Sequence, residues 1–229
     1  MKLANEATAG LWVPLVPSLD ALLTRLESLS LEPRMAAQRQ IALGLALQPY
    51  LESGGGALLS PLPEETELAN LLLYADFYPQ DGQLTLIEQL RDVITEHIPQ
   101  EEREWLDPLK HSYFDLAEFL SADEQERRLV FRSIGDARVY RVPGGEFSKG
   151  LQPGQVLLTR LIREPGDVEW ERAVIAGPAI LLSTEDGKGL LNATLDYRRQ
   201  VEISSGSFEL GNWSEFAKRY GHVLLWTFA

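Results

Sequence analysis

The sequence predicts an α+β fold: an N-terminal helical region, a small antiparallel β-sheet or barrel module, and a C-terminal amphipathic helix. Three observations carry this. Up to about Ser121, leucines and other apolar residues recur at spacings of three and four, the period of a helix face. After Ser121 the period shortens to two, with tight turns between apolar runs, the mark of short antiparallel strands. Near the end, Trp213, Phe216, Ala217, Tyr220, Val223 and Leu224 return to helical spacing. The expected division is a helical region over 1–121 and a β-module with a helical tail over 122–229. With 229 residues, 45% of them hydrophobic, the chain has enough apolar material for a real core.

The helices follow in order. Leu19, Leu22, Leu23, Leu26 and Leu29 form one face after Ser18, a good N-cap type. Glu32-Pro33 restarts the chain, because proline suits the first helical position. Met35, Ala36, Ile41, Leu45 and Leu47 mark the second helix, and Ser53-Gly54-Gly55-Gly56 is a loop. Leu68, Leu71, Leu72 and Ala75 mark a third, ending at Asp76-Phe77-Tyr78-Pro79. Thr85 and Glu88 stand at the spacing of a capping box, in which each side chain bonds a free amide of the other residue. A short helix is expected from Glu101 to Leu106. Another is expected from Asp107-Pro108, with Leu109, Tyr113, Leu116 and Phe119 or Leu120 on one face.

The strands come next. Leu129 to Ile134 and Arg138 to Val142 flank Gly135-Asp136 and read as a hairpin. Gln155 to Arg163 is a long β-rich run. Val168, Trp170, Arg172 and Val174 alternate with their neighbours, and Pro178 to Ser183 is the last strand. Between 187 and 211 the pattern leans towards helix, over Leu190 to Gln200. Asn212 is an N-cap type for the final helix, and Gly221 predicts a break there.

Composition narrows the function. The chain has no cysteine, so disulfides, thiolate metal sites and cysteine nucleophiles are excluded. Its three histidines lie far apart. No phosphate-cradling glycine motif and no serine elbow occurs, and no cofactor or metal is expected. The longest apolar run, Ile41 to Leu47, is far short of the roughly 18 residues that span a bilayer. With no signal-peptide pattern at the start, a cytoplasmic protein with no membrane association is the expectation. The net charge is −13, and residues 1–120 hold 19 acidic and 7 basic side chains, a balance of −12. Such acidity repels a phosphate backbone and disfavours nucleic acid as a partner.

Several groups qualify as site candidates. Arg160 lies inside the apolar run Val156 to Ile162, where a charge needs a partner. Glu169 or Glu171 is its expected partner. Read functionally, Arg160 belongs to an anion-binding stripe with Arg138, Arg141, Arg163 and Arg172. Trp213, Phe216, Tyr220 and Trp226 would, if exposed, form a surface for a protein partner. Asp107, His111 and Asp115 stand four apart, which on one helix aligns an imidazole between carboxylates. Glu101, Glu102, Glu104 and Asp107 make a carboxylate cluster at a helix start, where negative charge suits the dipole.

From Leu68 to Leu191 the chain resembles a group of poorly characterised bacterial proteins whose helical-plus-β segment precedes a SEC-C-type zinc motif. The residues that carry the likeness are Asp76-Phe77-Tyr78, the helix Leu86 to Ile94, Trp105-Leu106, Ser112 to Leu116, and the run Leu151-Gln152-Pro153-Gly154-Gln155 leading into Val156 to Leu161. The SEC-C motif is cysteine-rich and is absent here, so its zinc-dependent docking does not carry over. The resemblance implies no catalytic residues.

The expected function is that of a non-enzymatic binding or adaptor protein with another protein as partner. Two alternatives stand beside it. One is an enzyme whose site gathers dispersed Asp, Glu and Arg residues. The other is a nucleic-acid-associated protein using the arginines of the β-module.

Overall fold

The computed structural model describes residues 10–12, 16–46, 67, 70, 71, 73–76, 85–89, 98–144, 150–169, 171–205 and 212–225. The fold is α+β, as the change of period predicts. In chain order the elements are β1 (Gly10–Trp12), α1 (Pro17–Ser30), a 3-10 turn (Pro33–Met35), α2 (Ala36–Ala46), α3 (Gln100–Arg103) and α4 (Leu106–His111). There follow β2 (Tyr113–Asp123), β3 (Arg128–Ser133), β4 (Val139–Pro143), β5 (Val156–Arg163), β6 (Ala173–Ile175) and β7 (Pro178–Leu182). Three helices close the described chain: α5 (Thr184–Ser205), α6 (Trp213–Tyr220) and α7 (His222–Leu225). Helical turns also occupy 73–75 and 86–89.

The sheet is antiparallel, in the order β1-β7-β5-β2-β3-β4, with β6 also paired to β5. One edge of β5 is shared. Its first half pairs with β7 through Val156–Leu182, and its second half with β6 through Leu161–Ile175. Gly177, at φ +75°, makes the bend between those two strands, a backbone state that suits glycine. The sheet curls until β4 approaches β6, where Arg141 and Arg172 form an isolated bridge. It does not close into a barrel.

The curl gives the sheet two different faces. Side chains alternate along a strand. Phe114 and Leu116 of β2 and Val156, Leu158 and Ile162 of β5 face the helices. There they join Leu19, Leu22, Leu26, Leu71 and Leu106 in one core. Ala117, Phe119, Leu157, Leu161, Phe131 and Tyr140 fill the inside of the curl. The helical half and the sheet therefore share a core. The border expected at Ser121 falls within β2, and β1, from the start of the chain, pairs with β7.

Two expectations are corrected. The helix expected from Asp107 through Phe119 stops at His111, and Tyr113 begins β2. Ser112 is already extended, with ψ 160°. Tyr113 to Ala117 are all buried, so this run needs apolar residues on both faces, and its three-and-four spacing was not a helical stripe. The alternation over Val168 to Val174 yields only the three residues of β6. The chain there loops instead, with the Asp167 carboxylate accepting from the Arg172 amide at 2.8 Å. Glu164 N–H donates to the Arg172 carbonyl at 2.9 Å, and Val168 projects into solvent.

Local signals read from the sequence do hold. Thr85 N–H donates to Glu88 at 2.9 Å, and the Glu88 amide reaches back to the Thr85 hydroxyl. Asn212 caps α6 by accepting from the Glu215 amide at 2.9 Å. Gly221 separates α6 from α7, and a Cβ there would lie 2.5 Å from the Ala217 carbonyl. The β3–β4 turn holds Ala137 at φ 62°, a left-handed state that costs a residue with a Cβ about 1–2 kcal/mol. Ala137→Gly is expected to raise stability by about 1 kcal/mol, read as a higher denaturation midpoint in urea.

Candidate functional site

The site lies where the start of β2 passes beneath α6. It has two polar centres, one on each face of the strand, and α6 contributes to both.

The first centre is ionic. Arg160 on β5 has no exposed surface. Its Nη1 and Nη2 each donate to a different oxygen of Asp76 at 2.7 Å. Its Nε donates to the Ser112 hydroxyl at 2.7 Å, and Nη2 also donates to the Ser112 carbonyl at 2.8 Å. The guanidinium carbon stands 5.1 Å from the centre of the Phe114 ring, within cation–π range. A second cation, Lys218 of α6, lies 2.7 Å from Asp76 and donates to the Ser112 carbonyl at 3.0 Å. One carboxylate thus holds two cations. Burial lowers the Lys218 ammonium to about 8, while Asp76 supports its charge and Arg160 opposes it. His222 of α7 is pushed down to about 4 by burial, with Asp76 acting the other way.

That depressed imidazole has a consequence for acid stability. Between pH 4 and 6.5 the unfolded chain protonates His222 and the folded chain does not, so this group adds stability as pH rises through that window. Wild type measured against His222→Gln is expected to gain up to about 1.4 kcal/mol per pH unit there. Urea midpoints at pH 4.5 and 6 test this.

The second centre lies on the other face of β2. Asp115 is buried among the side chains of the curl. Its Oδ1 accepts from its neighbour's amide, Leu116 N–H, at 2.8 Å, and from the Trp213 indole at 3.0 Å. Its Oδ2 is buried without a hydrogen bond, as is Oγ1 of Thr159. Thr159 stands directly across from Asp115 in the β2–β5 register, so the two side chains share a face. Nearby, the Tyr113 hydroxyl donates to Asp136 at 3.1 Å and meets the Tyr140 hydroxyl at 3.2 Å. Burial raises Asp115 to about 7, and Asp136 adds to the rise. The nearby Ser133 hydroxyl and the bonds from the Trp213 indole and the Leu116 amide work against it. Burial likewise pushes Tyr140 up to about 12 and Tyr113 further upward. The Trp213 ring lies over Gly135, where a Cβ would come within 2.1 Å of it.

The expected site residues are thus divided. Arg160 is paired, but with Asp76 and not with Glu169 or Glu171. Even-numbered residues of β5 face the helices, whereas Glu171 belongs to the outer loop and pairs with Arg141 at 2.8 Å. The remaining arginines lie outside the core, and only Arg141 and Arg172 are neighbours. Arg138 lies 3.8 Å from Asp136 and Arg163 lies 3.6 Å from Asp107. Arg172 is exposed beside Arg141 at the β6 edge. Arg160 therefore does not share a surface with them. Trp213 and Phe216 are 3% and 1% exposed, so they pack inward and offer no partner surface. Tyr220 is half-buried and stacks on Phe216. Trp226 lies outside the described residues.

Asp107 and His111 remain close, with Nδ1 3.4 Å from Oδ1, but Asp115 has left that row for the inside of the curl. Glu102 turns inward to pair with Arg25. Glu104 and Asp107 line an open recess of about 420 Å³ with Pro108, Arg163, Pro165 and Gly166. Among the described residues, no group of three or more His, Cys, Asp or Glu is placed to hold a metal, and no helix is long and apolar enough to cross a membrane.

Asp76, Ser112, Lys218, Thr159 and the role of Asp115 were missed from sequence. The one usable signal was Arg160 itself, whose charge required a partner. No family model, no curated protein and no solved structure matches this chain.

Proposed function

We propose that this is a non-enzymatic binding protein that engages another protein. The observation that carries the reading is a set of exposed apolar side chains along the α1–α2 segment. Leu31 and Ile41 are 57% and 54% exposed, and Ala36, Ala37 and Gln40 are exposed beside them in sequence. A lone exposed leucine is ordinary, but here apolar side chains are exposed at several positions of one stretch, with the exposed Arg34 paired to Glu32 between them, and apolar residues with an arginine are common in protein interfaces. The buried ionic groups support the same reading. Arg160, Asp76 and Lys218 spend their bonds on one another and on Ser112, the residue before β2, which suits groups that hold the fold together.

The test is co-purification from the native host with tagged wild type and with Leu31→Glu/Ile41→Glu. Both positions are exposed, so the double variant is expected to fold. A stoichiometric protein retained by wild type and lost by the variant is the expected result. The same retained set in both, or a bound small molecule with no protein, would contradict the reading. The small-molecule outcome would bring the dispersed-site enzyme forward.

A further inference from the structure

A carboxyl group sealed beneath a helix is an unusual way to fasten that helix. Asp115 meets α6 through a single bond, from the Trp213 indole. One of its oxygens takes two donors and the other takes none. The groups packed around it come from every neighbouring element. Tyr113 on β2 and Tyr140 on β4 bring neutral hydroxyls, and Ser133 on β3 and Thr159 on β5 bring two more. Asp136, in the β3–β4 turn, brings a second negative charge. The cations of the neighbouring elements are engaged with other carboxylates, Arg138 with Asp136 and Lys218, across the strand, with Asp76. An ionised carboxylate in such a place has neither water nor a counter-charge.

We propose that the seating of α6 on the sheet is proton-linked: the helix is latched while Asp115 holds a proton and loosens when Asp115 is ionised. Lifting α6 removes the Trp213 ring from Gly135 and uncovers the carboxyl. Water can then solvate the charged form, which the docked state disfavours. Ionisation and undocking therefore favour each other. The position of Asp115 near neutrality, set by burial and by Asp136, places the transition within the ordinary working range of a protein.

Amide hydrogen exchange of the whole protein, followed between pH 5 and 8, measures the opening of 213–220. His222 and Lys218 also titrate when α6 lifts, His222 in the opposite sense below pH 6.5. The readout is therefore the ratio of opening constants in wild type and Asp115→Asn, in which those contributions cancel. That ratio is expected to rise about tenfold per pH unit from pH 5 to 7 and to level off above. A ratio independent of pH overturns the proposal. An equal rise in peptides covering 156–163 also overturns it, because the linkage would then belong to global unfolding. Asp136→Asn gives a separate check should Asp115→Asn misfold. Removing that neighbouring charge must move the levelling-off to lower pH, and an unmoved transition overturns the proposal.

Discussion

Asp76→Asn is expected to destabilise the protein by about 3–5 kcal/mol, the range for removing one partner of a buried ion pair. The cost arises because Asp76 serves two cations. Without its charge, Arg160 and Lys218 face each other across a neutral amide, with Arg160 wholly cut off from water. Arg160→Met is expected to cost less, since it leaves Asp76 and Lys218 as a one-to-one pair. The order of the two variants is thus a sharper test than either value. A pH dependence follows. In Asp76→Asn the Lys218 ammonium falls below its native value of about 8, having lost the charge that held it up. The folded variant then sheds that proton before wild type does, so its deficit shrinks as pH rises towards 8. Urea midpoints at pH 6 and 8 read both the order and the trend.

Trp213→Ala is the second large effect, about 3–5 kcal/mol for truncating a buried tryptophan. The ring packs against Phe216 at a tilt, with centroids 5.9 Å apart, and its N–H donates to Asp115. Gly135 is the other half of this contact. Gly135→Ala puts a methyl group 2.1 Å from the indole, an overlap that costs about 1–3 kcal/mol. The two changes are expected to be strongly non-additive, because the added methyl has nothing to strike once the ring is gone. In a double-mutant cycle, Gly135→Ala should cost close to nothing on the Trp213→Ala background. Additive costs would mean that the ring does not rest on Gly135.

What could be read in the sequence was what a short window decides. The hairpin of β3 and β4 follows from alternation on either side of Gly135-Asp136. The Thr85–Glu88 box and the Asn212 cap are spacings of three residues, and both form. The start of β2 was misread because burial on both faces erases the alternation that marks a strand. Tyr113, Leu116 and Phe119 then imitate a helix face. The site was less legible still. Arg160 finds Asp76 at a separation of 84 residues and Trp213 finds Asp115 at 98. No local period relates residues so far apart. The charge of Arg160 announced that a partner must exist, but only the topology says which carboxylate β5 turns towards. Asp115 stood out only by its spacing from His111, and because the helix ends at His111 that spacing pointed to the wrong neighbours.

Proton-linked seating of α6 requires that the helix seal a carboxyl group with no counter-charge. The most direct measurement is the titration of the Asp115 side-chain carboxyl carbon by NMR, assigned by its loss in Asp115→Asn. A midpoint of about 7 is predicted, far above the usual aspartate value of about 3.9. A midpoint near 4 would contradict the account, because it would mean that water or a cation reaches the carboxylate beneath the docked helix.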